Sequence, residues 1–208
     1  MTGRRIPTWA CGDGEQISLF EIPCSSVPAV PVEEAVVAAA ELVIDAGVTV
    51  LPRTELSGIH GYPVVRWAAG VTDRLAAGEG PMLDSRTLSL WEFCPTDGPG
   101  APPAAPLSIV GFVATGQWGR ALYAASELRG FGETIVLTRR RPKALSLAAA
   151  DLAGVNVVRT SDAGEELLVR GSKVADPPRI VAVRYWEERL FAHALATGTP
   201  VRPVPAPA

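Results

Sequence analysis

Two almost uninterrupted apolar stretches, separated by the length of one helix, constrain the fold of this chain most. Residues 107–114 and residues 133–139 are both predicted strands, and residues 117–129 between them are a predicted helix. Strands that are apolar throughout are typical of a sheet covered on both faces, and a helix between two strands is typical of a parallel crossover. The stretch 108–122 therefore predicts the strand, turn and helix start of an α/β fold.

The same rhythm continues downstream, and a second α/β pattern precedes it. The predicted downstream elements are a helix at 142–153, strands at 155–159, 165–170 and 179–184, and a helix at 185–196. The predicted upstream elements are helices at 31–46 and 63–77 and strands at 48–51 and 87–93. We therefore predict a three-layer α/β fold, with a mostly parallel sheet flanked by helices from residue 107 and an N-terminal α/β extension.

Proline and glycine mark the boundaries between segments. The predicted segments are an extended N-terminal arm at 1–31, an N-terminal α/β layer at 32–94, a Pro/Gly-rich loop at 95–106, an α/β core at 107–198 and a Pro-rich tail at 199–208. We expect one compact domain overall, because 208 residues with 48% hydrophobic content can bury a sizeable core. The arm offers a possible docking segment for a protein partner.

The charge balance limits the classes of partner. A net charge of −3 argues against a protein whose whole surface binds nucleic acid. The charge is uneven, because residues 1–119 carry 6 basic and 13 acidic side chains, whereas residues 120–208 carry 13 and 9. Either the two halves form differently charged solvated faces, or the C-terminal half presents a surface to an anion.

Apolar runs, cysteine spacing and histidine spacing indicate the compartment of the protein and its capacity to bind metal. No apolar run approaches the roughly 20 residues of a membrane span, so no membrane partner is expected. Cys11, Cys24 and Cys94 are too widely spaced for a disulfide framework, which predicts a reduced, cytoplasmic setting. His60 and His193 lie far apart in sequence, and no pair of residues has zinc-ligand spacing, so no metal site is predicted.

The first chemical candidate is the turn after the strand at 107–114. Gly116, Gln117 and Gly119 lie where a tight turn, a close backbone approach to a pyrophosphate and a helix N-terminus would favour an anion. The stretch resembles the dinucleotide-binding turn of Rossmann dehydrogenases of the glycerol-3-phosphate dehydrogenase type, whose glycines also allow close helix–strand packing. Ala114 stands at the first glycine position, and the resemblance implies that Gly116 and Gly119 occupy the second and third. The resemblance implies an oxidoreductase, and the arginines after residue 138 imply NADP as its cofactor.

The second candidate is the strand–helix–strand segment at 133–158. It resembles the end of the core of Mrr-type restriction endonucleases, which hold Mg²⁺ with an acid on one strand and an acid-x-Lys on the next. Asp84 is a candidate for the lone acid, but neither Lys143 nor Lys173 completes the acid-x-Lys pattern. This resemblance therefore implies an inactive core used for binding or scaffolding.

The third candidate is a basic cluster formed by Arg139, Arg140, Arg141 and Lys143. It follows a predicted parallel strand, and the carboxyl ends of such strands are the usual ligand sites of open α/β sheets. A solvated loop is the alternative interpretation. The sequence contains no complete catalytic set, so catalytic residues stay unassigned, and no cofactor is predicted.

The predicted function is a non-catalytic accessory module whose basic cluster contacts a nucleic acid or a nucleotide, with an NADP-dependent oxidoreductase as the alternative. The order of the strands separates the two resemblances. Strand order 3-2-1 around residue 107 indicates a Rossmann fold, whereas a mixed sheet that includes the N-terminal strands indicates the nuclease-like core.

Overall fold

The computed structural model describes residues 9–10, 16–17, 32–91, 93–94, 101–172 and 180–202. Contacts divide the chain into two units, each built from separate segments. Unit 1 comprises Met1–Val30, Ala68–Leu107 and Arg179–Ala208. Unit 2 comprises Pro31–Trp67 and Ser108–Pro178.

The described residues form six α-helices and nine strands. The helices are α1 (Glu34–Val43), α2 (Val71–Ala76), α3 (Ser85–Trp91), α4 (Trp118–Glu127), α5 (Ala144–Leu152) and α6 (Val181–Ala196). The strands are β1 (Trp9–Ala10), β2 (Gln16–Ile17), β3 (Thr49–Val50), β4 (Thr54–Leu56), β5 (Ile59–Trp67), β6 (Leu107–Ala114), β7 (Glu133–Thr138), β8 (Asn156–Ser161) and β9 (Gly164–Val169). A 3₁₀ turn at Leu128–Phe131 follows α4.

A seven-stranded mixed sheet forms the core of unit 2. Its order is β3-β5-β6-β7-β8-β9, and β4 also pairs with β5. Strands β6, β7 and β8 are parallel to one another, as the apolar stretches predicted. Strands β3 and β4 run antiparallel to β5, and β9 runs antiparallel to β8. The prediction of an α/β fold is confirmed, but the prediction of a mostly parallel sheet is wrong, because the N-terminal strands and an antiparallel edge strand make the sheet mixed.

Helix α1 packs on one face of this sheet. Its buried side chains Val36, Ala39, Ala40 and Val43 recur at helical spacing, which explains why this segment buries one side. They pack in one cluster with Val50, Val64, Val113, Ile135, Leu137 and Val158. Alternation along β7 directs Thr134 and Val136, both buried, to the opposite face. Each fully buried valine of this core contributes about 1.5–3 kcal/mol, so burial on both faces of the sheet stabilises unit 2.

Most predicted elements around the parallel strands are confirmed. Strand β6 spans the predicted residues 107–114, and β7, β8 and β9 lie at the predicted strands 133–139, 155–159 and 165–170. The predicted helices at 31–46, 117–129 and 142–153 correspond to α1, α4 and α5. The predicted strand at 48–51 corresponds to the two-residue β3.

The predicted helix at 63–77 is wrong over most of its length. The chain instead forms the β4–β5 hairpin and then the six-residue helix α2. Ser57 (φ 51°) and Gly58 (φ 82°) are the two central residues of the hairpin turn, where positive φ at both positions matches the twist of the flanking strands. Val64, Val65 and Trp67 are buried, so sheet burial overrides the helical spacing of the apolar residues.

Two predicted strands in unit 1 are helices. The alternation at 87–93 belongs to α3, in which Leu88 is buried but Leu90 is 60% exposed. Asp84 starts this helix, since its carboxylate accepts hydrogen bonds from the backbone N–H groups of Arg86 and Thr87. Most of the predicted strand at 179–184 is the first turn of α6, which extends the predicted helix 185–196 toward the N-terminus.

The predicted arm and tail fall largely outside the described residues. Within the arm, β1 pairs with β2 in an antiparallel ladder. Residues 95–100 of the predicted loop and 203–208 of the tail are likewise outside the described ranges.

A buried carboxylate organises unit 1. Glu188 on α6 is fully buried and accepts two hydrogen bonds from the guanidinium of Arg74, both at 2.9 Å. It also accepts hydrogen bonds from the N–H of Met82 and from Arg184. Burial lowers the pKa of Arg184, while the charge of Glu188 opposes that shift. This cluster links α2, α6 and the segment at residue 82, and sequence reasoning missed it because its members are distant in sequence.

We expect Glu188→Gln to lower the free energy of unfolding by about 3–5 kcal/mol, because it leaves the buried Arg74 without a compensating charge. Urea denaturation measures this change. Asp73→Asn, which alters an exposed carboxylate on the same helix as Arg74, is the control and should change stability by less than about 0.5 kcal/mol. Equal effects of the two substitutions would contradict the role given to Glu188.

The hairpin turn makes a second stability prediction. Gly58→Ala should destabilise the protein by about 1–2 kcal/mol, because alanine is strained at positive φ. Ser57→Asn should stabilise it by up to about 0.5 kcal/mol, because asparagine adopts positive φ more readily than serine. The urea midpoints of the two variants measure these opposite changes in stability. A Gly58→Ala substitution that stabilises the protein would contradict this turn geometry.

Candidate functional site

A cleft of about 790 Å³ opens at the carboxyl ends of the parallel strands in unit 2. The turn after β6 and the turn after β7 line it together, so the glycine turn and the basic cluster belong to one site. This is where parallel strands place their ligands, because the loops and helix N-termini meet there. The residues around the cleft are Glu33, Ala35, Thr115, Gly116, Gln117, Trp118, Leu137, Thr138, Arg139, Arg140, Arg141, Pro142, Lys143, Ser146 and Thr160.

The turn after β6 leads directly into α4. Gly116 has φ 106°, a backbone conformation that residues other than glycine rarely adopt. Gln117 has an extended backbone at the N-cap of α4. The carbonyl of Gln117 accepts the first helical hydrogen bond from Ala121. The first N–H groups of α4 therefore have no helical partner and lie at the positive end of the helix dipole.

Gly119 does not have the role that the resemblance implies for it. It is the second residue of α4, and a Cβ built on it would meet no atom within 4 Å. Close packing therefore does not require glycine here. Gly119 is also absent from the residues that line the cleft.

The turn after β7 carries the positive charge. The side chain of Thr138 donates a hydrogen bond to the carbonyl of Arg140 at 2.9 Å, which fixes the turn locally. Arg139, Arg140, Arg141 and Lys143 are all exposed, and Lys143 is the extended N-cap of α5. The cleft thus brings a second helix N-terminus next to four cations.

The four cations are not equivalent. Arg141 forms an ion pair with Glu166 on β9 at 3.3 Å, and Arg159 pairs with the same carboxylate at 2.7 Å. Among the described residues, Arg139, Arg140 and Lys143 form no ion pair. These three side chains are therefore the ones available to an anionic ligand.

A carboxylate also lines the cleft. Glu33 is exposed and precedes α1, and its carboxylate lies close enough to Tyr62 to act on the ionisation of that phenol. Burial raises the pKa of Tyr62, and the negative charge of Glu33 raises it further, while Arg53 opposes the shift. The phenol of Tyr62 therefore stays protonated near neutral pH beside the carboxylate of Glu33.

Other candidate residues lie elsewhere. Asp84 caps α3 in unit 1 and is not on a strand, and the hydrogen bonds from Thr87 hold its pKa below its usual range. Cys94 is a partly exposed free thiol, whereas Cys11, Cys24 and Lys173 lie outside the described residues. His60 is on β5 in unit 2, and His193 is on α6 in unit 1.

Within the described ranges, no three histidine, cysteine or acidic side chains come close enough to hold a metal ion. In the same part of the chain, no helix combines the length and apolar character needed to cross a membrane. Comparison with known proteins gives no match to a family, to a curated protein or to a solved structure.

Sequence reasoning identified the two turns but missed several residues around them. Trp118 stands inside the glycine turn and could have been included from its position alone. No sequence signal places Glu33 or Thr160 near the arginines. Their positions follow from α1 and β8 packing beside β7.

Substituting the two glycines of the turn should have opposite effects. We expect Gly116→Ala to destabilise the protein by about 1–2 kcal/mol through backbone strain. We expect Gly119→Ala to be neutral or to stabilise the protein by up to about 1 kcal/mol, because alanine favours the helix. Thermal unfolding of both variants measures this difference, and a strongly destabilising Gly119→Ala would restore the packing role that the resemblance implies.

Proposed function

We propose that this protein is a non-catalytic binding or accessory module that contacts a phosphate-bearing partner, a nucleotide or a nucleic acid, through the cleft. One observation carries the proposal: Arg139, Arg140 and Lys143 form no ion pair among the described residues and lie beside the N-termini of two helices. Arginine and lysine bind phosphate by charge-assisted hydrogen bonds, and helix N-termini favour the same ligand.

The strand order of the sheet supports the resemblance to the nuclease-like core over the resemblance to a Rossmann fold. Strands β3, β4 and β5 occupy the side of β6 opposite to β7, and β3 and β4 run antiparallel to β5. A mixed sheet that includes the N-terminal strands is the arrangement expected of the nuclease-like core. We therefore propose a degenerate restriction-endonuclease-like core, used for binding in a larger cytoplasmic assembly.

The alternative is an NADP-dependent oxidoreductase. It is favoured by the shared cleft of Gly116 and the arginines, which would suit a pyrophosphate and a 2′-phosphate. Two observations argue against this alternative. Gly119 lies within α4, where a Cβ would meet no neighbouring atom, and the sequence lacks a complete catalytic set. Stabilisation by NADP but not by DNA or other phosphate ligands would support the alternative.

The double substitution Arg139→Ala and Arg140→Ala should weaken phosphate binding by at least about tenfold, because it removes two charge-assisted contacts. Titration calorimetry with sodium tripolyphosphate measures the dissociation constant. Arg141→Ala should weaken binding less, because Glu166 already pairs with that guanidinium.

Arg170→Ala is the matched control, since Arg170 is exposed in the same unit but does not line the cleft. It should leave the dissociation constant within about twofold. If the double substitution and the control have the same small effect, the cleft is not the phosphate site and the proposal is wrong.

A further inference from the structure

Several groups around the cleft have no role in binding phosphate alone. Trp118, Leu137 and Ala35 add an apolar portion, and Glu33 adds a negative charge. A site that recognised only a phosphate group would need neither. Their presence points to a ligand with a second, uncharged part.

Trp118 is suited to stacking against a planar ring. It is the first residue of α4, follows Gln117 at the N-cap and lines the cleft. The indole is partly buried, which means that the protein supports it while part of its surface remains open to the cleft. Stacking on an aromatic side chain contributes to binding for every nucleobase, because each base has a π face.

Glu33 distinguishes between possible anions. Its carboxylate repels an inorganic polyphosphate, but it accepts hydrogen bonds from sugar hydroxyls or from the amino group of a base. Glu33 is exposed, so the lone pairs of its carboxylate are available to such donors. A ligand with both phosphate groups and hydrogen-bond donors satisfies the whole lining, whereas a simple polyphosphate does not.

The distribution of charge favours a compact ligand over a nucleic acid duplex. The unpaired cations at the cleft are confined to residues 139–143, and the neighbouring Arg141 and Arg159 are both paired with Glu166. A protein that follows a duplex neutralises several successive phosphates along an extended basic surface. The cleft volume of about 790 Å³ is in the range of pockets for single small molecules.

We infer that the ligand of the cleft is a nucleoside phosphate, with its phosphates at Arg139, Arg140 and Lys143 and its base stacked on Trp118. This inference rests on the proposed function, because it assumes that the cleft binds phosphate. It adds the nucleoside as the second recognised part of the ligand, with Glu33 as the acceptor for its hydroxyl or amino groups.

Calorimetric titration of the full chain with each of the four ribonucleoside triphosphates and with sodium tripolyphosphate tests the inference. These probes share three phosphoryl groups and differ in the nucleoside. We expect the tightest nucleotide to bind at least about tenfold more tightly than tripolyphosphate, as expected for one stacked base. Trp118→Ala should abolish this difference while leaving the affinity for tripolyphosphate within about twofold.

Three further variants test whether the preference for nucleotides depends on the ring of Trp118 and on the charge of Glu33. Trp118→Phe should retain most of the nucleotide preference, because phenylalanine still presents a ring. Tyr123→Ala, on the same helix but 63% exposed and outside the cleft lining, should change neither affinity. Glu33→Gln should strengthen tripolyphosphate binding by removing repulsion, but it should not strengthen nucleotide binding to the same extent.

The outcomes separate this inference from the proposed function. Equal affinity of the wild-type protein for nucleotides and tripolyphosphate would overturn nucleoside recognition and leave phosphate binding intact. No binding of any of these probes or of DNA would overturn both. Tighter binding of a short DNA duplex than of any nucleotide, unchanged by Trp118→Ala, would overturn the inference in favour of a nucleic acid partner.

Discussion

Strand β7 lies between two parallel neighbours, β6 and β8, and four consecutive residues from Thr134 to Leu137 are buried. Because successive side chains point to opposite faces, this burial requires a layer on each side of the sheet. Helix α1 supplies one layer with its valines and alanines, and the crossover helices α4 and α5 follow the parallel strands. The arrangement of unit 2 depends on this double cover.

The same constraint positions the candidate site. Parallel strands must return through a crossover, so the turns after β6 and β7 open at the same edge of the sheet. Each turn leads into a helix, which brings the starts of α4 and α5 to that edge together with Arg139, Arg140 and Lys143. The site is therefore a consequence of the strand order, and its charge comes from a single short turn.

Unit 1 is stabilised by a different kind of interaction. Its buried Glu188 is hydrogen-bonded by Arg74, Arg184 and a backbone N–H, so a charge that would be costly alone is compensated on several sides. Arg74 also donates to the carbonyl of Gly80, and Arg184 to that of Pro103. The charged groups of this cluster are therefore already hydrogen-bonded within unit 1. Three cations of the cleft in unit 2 lack such ion pairs among the described residues, so the cleft is the better candidate for a ligand site.

The sequence by itself determined the parallel strands β6, β7 and β8, the helices between them and the position of the basic turn. Apolar runs, glycines and proline mark these elements locally, and the parallel direction of the strands then brings the turns to one edge. The helical spacing from Val64 to Leu75 and the alternation after Thr87 gave the wrong elements, because burial and caps depend on partners distant in the chain. Only the tertiary structure placed Glu33 and Thr160 beside the arginines, paired Arg141 with Glu166 and joined Arg74 to Glu188, since no local pattern encodes contacts between residues far apart in sequence.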